Sequence, residues 1–312
     1  MEDFVIENGT LVRYRGCDYG NVVIPDGVTR IGKDAFEGNR WPTSVTLPDG
    51  VTEIGNGAFK HCTSITSIRL PESLTRIGHG AFEDCKSLES IELPDGLTEI
   101  GSDALFGCVR LTSVTIPDGV TGLWDGLFSE CIGLISAALP KRLKYFGDSA
   151  FSGCSSLKSI VIPDGMTDIS RCAFAGCTSL ESVTIPSSVT TIGYSVFRGC
   201  KSLKNIMFQG KVTEIGMSAF EGCTSLESIT LPDSVTVISH LAFKDCKSLT
   251  DIALPDGLTE IGEEAFKGCT SLKSMTVPDS VTSIEKDAFA GCENISVVYK
   301  GKPYISAGEE VD

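Results

Sequence analysis

Apolar positions recur along this chain at a fixed short interval and never gather into one long amphipathic segment. In the stretch from Pro48 to Leu70 they fall at Val51, Ile54, Ala58, Phe59, Cys62, Ile65, Ile68 and Leu70. The spacing from Ile54 through Ala58, Phe59 and Cys62 to Ile65 is three to four residues, which predicts a short helical turn with one inward face. A glycine just before the cysteine, as at 107, 153, 176, 199, 222, 268 and 291, would end such a turn. The following Leu-x-x-Ile-x-Leu, seen at Leu88, Ile91 and Leu93 and again at Leu226, Ile229 and Leu231, alternates as a strand does. Pro-Asp-Gly after it suits a tight turn, with Pro presetting φ and Asp able to bond its own backbone.

The whole pattern then repeats. LPDGLTEIG occurs unchanged at 93–101 and 254–262, and prolines from Pro25 to Pro278 keep a 23-residue register that only Gln209 breaks. One unit reads P-D-G-V-T-x-I-G-x-x-A-F-x-G-C-x-S-L-x-S-I-x-L. No such unit can bury its own apolar side, so neighbours must stack. The expected organisation is a single stacked domain over 1–312, with about twelve repeats from 24 to 298. A terminal coil would expose a core cross-section and a sheet edge, so caps are expected. Residues 1–23 contain FVIENGTLVRYRG, a hairpin around Asn8-Gly9. At the other end VVYKGKPYIS suggests a hairpin around Gly301, and 299–312 reads as a cap with an acidic tail.

The strand segment and the A-F-x-G-C segment resemble the BspA-like family of leucine-rich repeat proteins. The resemblance implies an α/β repeat fold: a right-handed solenoid with a parallel β-sheet on one face. With the local reading, it carries short helical turns and short strands elsewhere. It also implies a non-catalytic surface or secreted protein that binds another protein, host or extracellular, or acts in adhesion. The start of the chain, MEDFVIENGT, has no signal-peptide apolar core. A cytoplasmic structural scaffold or spacer is therefore the alternative.

Composition narrows the partners. A formal net charge of −15, from 41 acidic and 26 basic side chains, disfavours nucleic acid and anionic membrane surfaces. No apolar run approaches the ~18 residues of a membrane span, so membrane insertion is not expected.

Candidate chemistry is sparse. Eleven cysteines, from Cys62 to Cys292, hold one coil position each, whereas metal ligands would cluster at short spacing. They are expected to be small buried fillers without disulfides, and Cys17 and Cys172, off the register, are the candidate reactive thiols. Threonines from Thr29 to Thr282 form a second register that suits short solvent-facing strands. His61, His79 and His240 have no recurrent carboxylate or nucleophile partner, and Gly55-Asn56-Gly57 lacks the rest of a nucleotide loop. No catalytic residue, cofactor or metal site is expected. Asn8-Gly9-Thr10 and Asn294-Ile295-Ser296 are glycosylation sequons, meaningful only in a glycosylating compartment.

Regular positions build the rod, so partner information must lie where coils differ. The coil from 117 to 146 differs most: Trp124 replaces the usual Gly, and Ile132 and Ile135 stand at otherwise polar positions. Lys141, Arg142, Lys144, Tyr145 and Phe146 replace the D-G-V-T-x-I pattern. Along the outward strand positions, Ala138 and Val161 turn the face apolar, beside Lys158. Trp124, Ile132, Ile135, Ala138, Arg142, Tyr145, Lys158 and Val161 are thus the candidate contact residues for a protein partner or weak self-association. The competing reading is a drifted coil in which Trp124 fills a local gap.

Overall fold

A computed structural model of the chain describes residues 3–293 and 295–303. The second sequon, at Asn294, the last residues of the expected second hairpin and the acidic tail lie outside the described residues. By internal packing the chain divides into two units, Met1–Pro163 and Asp164–Asp312. Each unit is a parallel β-solenoid in which a typical coil contributes one strand to each of two ladders.

In the first unit one ladder runs on the threonine side through Thr10–Tyr14, Arg30–Ile31, Glu53–Ile54, Arg76–Ile77 and Glu99–Ile100. The other runs on the leucine side through Gly20–Val23, Pro42–Thr46, Ser67–Arg69 and Ser90–Ile91. In the second unit the threonine-side ladder runs from Thr191–Ile192 to Ser283–Ile284. Its leucine-side strands pair two by two, as Ser182–Ile185 with Asn205–Phe208 and Ser228–Thr230 with Asp251–Ala253. Parallel pairings between repeat coils join equivalent residues, such as Glu53 with Arg76 and Ile54 with Ile77. The isoleucine of each short strand points inward and its neighbour outward, which is the period-two habit that the apolar pattern requires.

Both ends carry hairpins. Phe4–Glu7 and Thr10–Tyr14 pair antiparallel across Asn8 and Gly9, whose φ of 48° and 72° are the positive values a tight two-residue hairpin turn demands. Thr10–Tyr14 then extends the threonine-side ladder, and Tyr14 stacks on Phe36 at 4.8 Å. At the far end Ser296–Tyr299 turns back on Lys302–Pro303.

The short helical turns are not there: no helix occurs among the described residues. Residues 55–62 show why. Amides of Ala58, Lys60 and Cys62 bond locally to Gly55, Gly57 and Phe59, but those of Gly57, Phe59 and His61 donate to His79, Ala81 and Glu83 of the next coil. Every second amide is thus claimed by the neighbour, which leaves none of the continuous i to i−4 bonding of a helix. Gly57 (φ 63°) and His61 (φ 57°) are left-handed, four residues apart, and reverse the chain before a helix can propagate. The segment is a stack of tandem turns, and Ala58, Phe59 and Cys62 still reach the interior.

That interior holds columns of identical side chains. In the first unit Phe36, Phe59 and Phe82 stack at 4.8 and 5.4 Å, and Leu105 takes the next place. In the second unit Phe174, Phe197, Phe220, Phe243, Phe266 and Phe289 stack at 5.4 to 5.7 Å. Stacked rings favour the observed register, because a coil shifted by one residue would set a ring against a small alanine or a polar side chain in place of another ring.

Candidate functional site

In the first unit glycine follows the short-strand isoleucine in each coil up to Gly101, and the space there is tight; in the second unit Ser239 and Glu285 hold the same position and keep the ladder bond. A Cβ at Gly101 would sit 2.6 Å from the His79 nitrogen and 2.8 Å from the Gly78 carbonyl carbon, closer than atoms approach. At the next coil that place is taken by Trp124. The amide bonds from Gly101 to Ile77 (2.9 Å) and from Gly147 to Leu123 (2.6 Å) have no counterpart from Trp124 to Ile100 among the described residues. Accordingly the threonine-side ladder stops at Glu99–Ile100 and resumes with Gly122–Leu123 paired to Tyr145–Phe146.

Trp124 and Tyr145 meet edge to face, with ring centroids 5.7 Å apart, and both stay well exposed. The Tyr145 ring lies over Gly122, where a Cβ would come within 2.1 Å of it. Three substitutions in one place therefore make one feature: Gly122 opens the space, Tyr145 covers it and Trp124 completes the pair. Partial burial, then the charges of Asp125 and Glu99, push the Tyr145 hydroxyl above its ordinary pKa, so it remains a neutral donor. Arg142, Lys141 and Lys144, just before Tyr145, are exposed. None of these three cations forms an ion pair with a described residue, on a chain with an acidic surplus.

The eight predicted contact residues do not form one patch. Ile135, Ala138, Lys158 and Val161 belong to the leucine side, where Ser136–Ala138 pairs with Ser113–Thr115 and the Lys158 amide donates to the Ile135 carbonyl at 3.3 Å. Val161 is 82% exposed. Ile132 is exposed in the turn that follows Cys131. Residues 124 and 135 are near in sequence but are carried by the two different sides of the coil.

Sequence reasoning missed three places. Tyr19 and Trp41, each just ahead of a leucine-side strand (Gly20–Val23 and Pro42–Thr46), pack edge to face at 5.6 Å at the uncovered start of that ladder. His61, Glu83 and Asp84 bring three ligand atoms within 4.8 Å of one another. Lys60 already holds Glu83 at 2.7 Å and Lys86 lies 3.7 Å from Asp84, so the carboxylate charge there is offset. The third is a hollow of about 670 Å³ on the leucine side of the second unit, where Phe208-Gln209-Gly210 departs from the repeat. Only the break at Gln209 pointed to it.

The cysteines are more than fillers. Cys85 Sγ donates to the Phe59 carbonyl of the preceding coil at 3.1 Å, and that same carbonyl accepts the Cys62 amide, also at 3.1 Å. The pattern recurs from Cys62 (to Phe36, 3.0 Å) to Cys292 (to Phe266, 3.1 Å). A thiol is the side chain that is small, apolar in bulk and still a weak donor. Burial pushes Cys62 and Cys131 up to about 12. Cys85, Cys108, Cys200, Cys223 and Cys246 are also raised well above the ordinary thiol value, by burial first and neighbouring ladder thiols second. Cys17 is exposed and Cys172 half-buried. The threonine register is bonded too: the Thr75 hydroxyl and amide both donate to the Thr52 carbonyl, at 3.1 and 2.9 Å.

Stacked parallel coils with this register define the class as a leucine-rich repeat solenoid. The BspA type leucine rich repeat model matches residues 12–135, 123–250 and 236–309, and the chain belongs to that family. No curated protein matches the chain. Among solved structures, a leucine rich cell surface protein from Faecalibacterium prausnitzii is similar at 32% identity. That match covers 94% of this chain and 86% of the other, with a TM-score of 0.68. A leucine-rich repeat protein from Bacteroides ovatus is similar at 29% identity over 96% of this chain and 100% of the other, with a TM-score of 0.51. One from Eubacterium ventriosum shares the fold at 23% identity over 94% and 91%, with a TM-score of 0.54. Proteins of this repeat family and fold are generally non-catalytic and typically serve as protein-interaction modules.

Proposed function

We propose that this chain is a non-catalytic protein-binding or adhesion module displayed at a cell surface or secreted, and that the Trp124–Tyr145 pair with Arg142 is its main contact surface. The observation that carries this is the exposed aromatic pair, built by three co-located departures from the repeat and flanked by cations without internal partners. Trp, Tyr and Arg are the residues that most often dominate interface energy. Free cations on an acidic chain suit a partner with an acidic contact face. Ile135, Ala138, Lys158 and Val161 offer a second, apolar contact on the leucine side. The similarity to a cell surface protein supports the location. An enzyme would need converging titratable groups in a cleft, and the interior is instead filled by Phe, Leu, Ile and Cys side chains.

The experiment uses two variants of the full chain, Trp124→Ser with Tyr145→Ser, and Ile135→Ser with Val161→Ser. Capture of partners from mucosal-cell and own-cell extracts is followed with each, and light scattering reports oligomeric state. The aromatic variant should lose capture or self-association while keeping its far-UV signal. Unchanged capture and mass in both folded variants would remove the reading.

A further inference from the structure

We infer that the hollow on the leucine side of the second unit is a binding site for a neutral oligosaccharide. This goes beyond the protein-contact reading above and does not depend on it. The site arises where Phe208-Gln209-Gly210-Lys211 replaces the usual leucine or isoleucine followed by the Pro-initiated turn. Turns at Pro186 and Pro232 close with amide bonds from Val189 (3.1 Å) and Val235 (3.0 Å), and Val212 makes no such bond to Gln209 among the described residues. The altered turn leans back on the preceding coil. A Cβ at Gly210 would lie 2.3 Å from the Ser187 carbonyl oxygen, so only glycine fits. Phe208, bulkier than its equivalents, is half-buried where Ile185 and Leu231 are fully buried. Strand Asn205–Phe208 pairs with Ser182–Ile185, but the ladder ends there and the next pairing begins at Ser228–Thr230. The space so opened measures about 670 Å³, within the usual range for small-molecule sites.

Its lining selects the ligand. Ser182, Thr184, Asn205, Gln209 and Thr230 supply hydroxyls and amides, and none of these side chains makes a hydrogen bond with another described residue. This contrasts with the threonine side, where hydroxyls such as those of Thr213 and Thr236 donate to the coil before. Met207, 62% exposed, Phe208 and Pro232 add an apolar platform. No charged side chain lines the hollow, although 21% of the chain is charged. Lys204 and Lys211 flank it in sequence without lining it. A comparable hollow on the leucine side of the first unit measures about 340 Å³ and is lined by Asp49, Arg69, Glu72 and Glu92.

A charged ligand would find no counter-charge among the lining side chains and would lose hydration on entry. An extended peptide inserting as a strand would need the coils to part, and on the threonine side they stay joined. Glu214–Ile215 remains paired with Val237–Ile238, and the Thr236 amide reaches the Thr213 carbonyl at 2.9 Å. A sugar chain lying across the outward side chains has what the site lacks: hydroxyls for the amides and hydroxyls, and C–H faces for Met207 and Phe208.

The test displays the full chain on an array of neutral and of sialylated or uronate-containing oligosaccharides. The strongest neutral binder is then titrated by calorimetry. Two variants are compared: Phe208→Leu with Gln209→Pro and Gly210→Asp, which restores the common turn already folded in neighbouring coils, and Met207→Glu, which adds a charge. Capture of neutral glycans, with at least about tenfold weaker binding in both variants at unchanged circular dichroism, supports the site. Capture of acidic glycans only, capture of none, equal binding in the folded variants, or binding of an uncharged peptide in place of sugars overturns it.

Discussion

Raising the pH should unfold this protein through its buried thiol ladder. Cys62, Cys85, Cys108 and Cys131 of the first unit are buried and held protonated, with Cys62 and Cys131 near 12. In the unfolded chain a thiol titrates near 8.5. Because the folded value is the higher one, the unfolded state loses its protons first, and unfolding becomes more favourable as pH rises. The stabilisation is fully present below about pH 8.5 and declines through the window up to about 12. Each such thiol removes about 1.4 kcal/mol per pH unit in that window. Four acting together remove roughly 5 kcal/mol per unit, comparable to the whole stability of many domains. The assay is guanidinium unfolding followed by circular dichroism at pH 7.5, 9.0 and 9.8 under reducing conditions. The midpoint should fall steeply above pH 8.5, and Cys108→Ala should flatten the slope by about one thiol's share. An equal midpoint at pH 7.5 and 9.8, or a slope unchanged by Cys108→Ala, would refute the reasoning.

Two further outcomes follow from the same packing. Iodoacetamide at pH 8, read by peptide mass spectrometry without denaturant, should modify exposed Cys17 first and Cys172 next; a buried ladder thiol modified as fast as these would contradict the packing. Gly101→Ala places a Cβ 2.6 Å from the His79 nitrogen, and should cost about 1–3 kcal/mol by thermal unfolding, while a neutral result would mean that the coils can separate there.

The fold was legible because its determinants are periodic. Proline, most often followed by Asp and Gly or Ser, marks nearly every turn, Leu-x-x-Ile-x-Leu marks a strand, and Asn8-Gly9 marks the first hairpin, each by a local rule that stacking does not override. The helical turn was misread because Ala58, Phe59 and Cys62 carry the same spacing in tandem turns as in a helix. The distinguishing signal was partly present in the residues at 57 and 61 and their equivalents, where left-handed residues recur at four-residue spacing and are mostly Gly, Asp or Ser, with His61, Glu130, Cys172, Leu241 and Glu264 among the exceptions. Trp124 and Tyr145 stand out in the sequence as departures from the repeat, but periodicity records depth along the stack, not which side of a coil a residue faces. Their pairing across Gly122, and the separation of Ile135 and Val161 onto the other ladder, therefore appear only in three dimensions. The hollow at Gln209 was hidden for a related reason. A missing proline shows that a turn differs, and only the contact of Gly210 with Ser187 shows which way it moves.

The two end hairpins complete different ladders. Thr10–Tyr14 joins the threonine side and leaves Gly20–Val23 as an open edge, whereas Lys302–Pro303 closes the leucine side beyond Ser296–Tyr299. Each cap reads only the coil it touches, and most interior coils offer their neighbours the same carbonyls, rings and thiols. A gene encoding such a chain can gain or lose whole coils by unequal recombination without disturbing either end. Its length is therefore heritable in steps of one repeat, and the departures at Trp124 and Gln209 can be carried to new distances from the termini as intact modules.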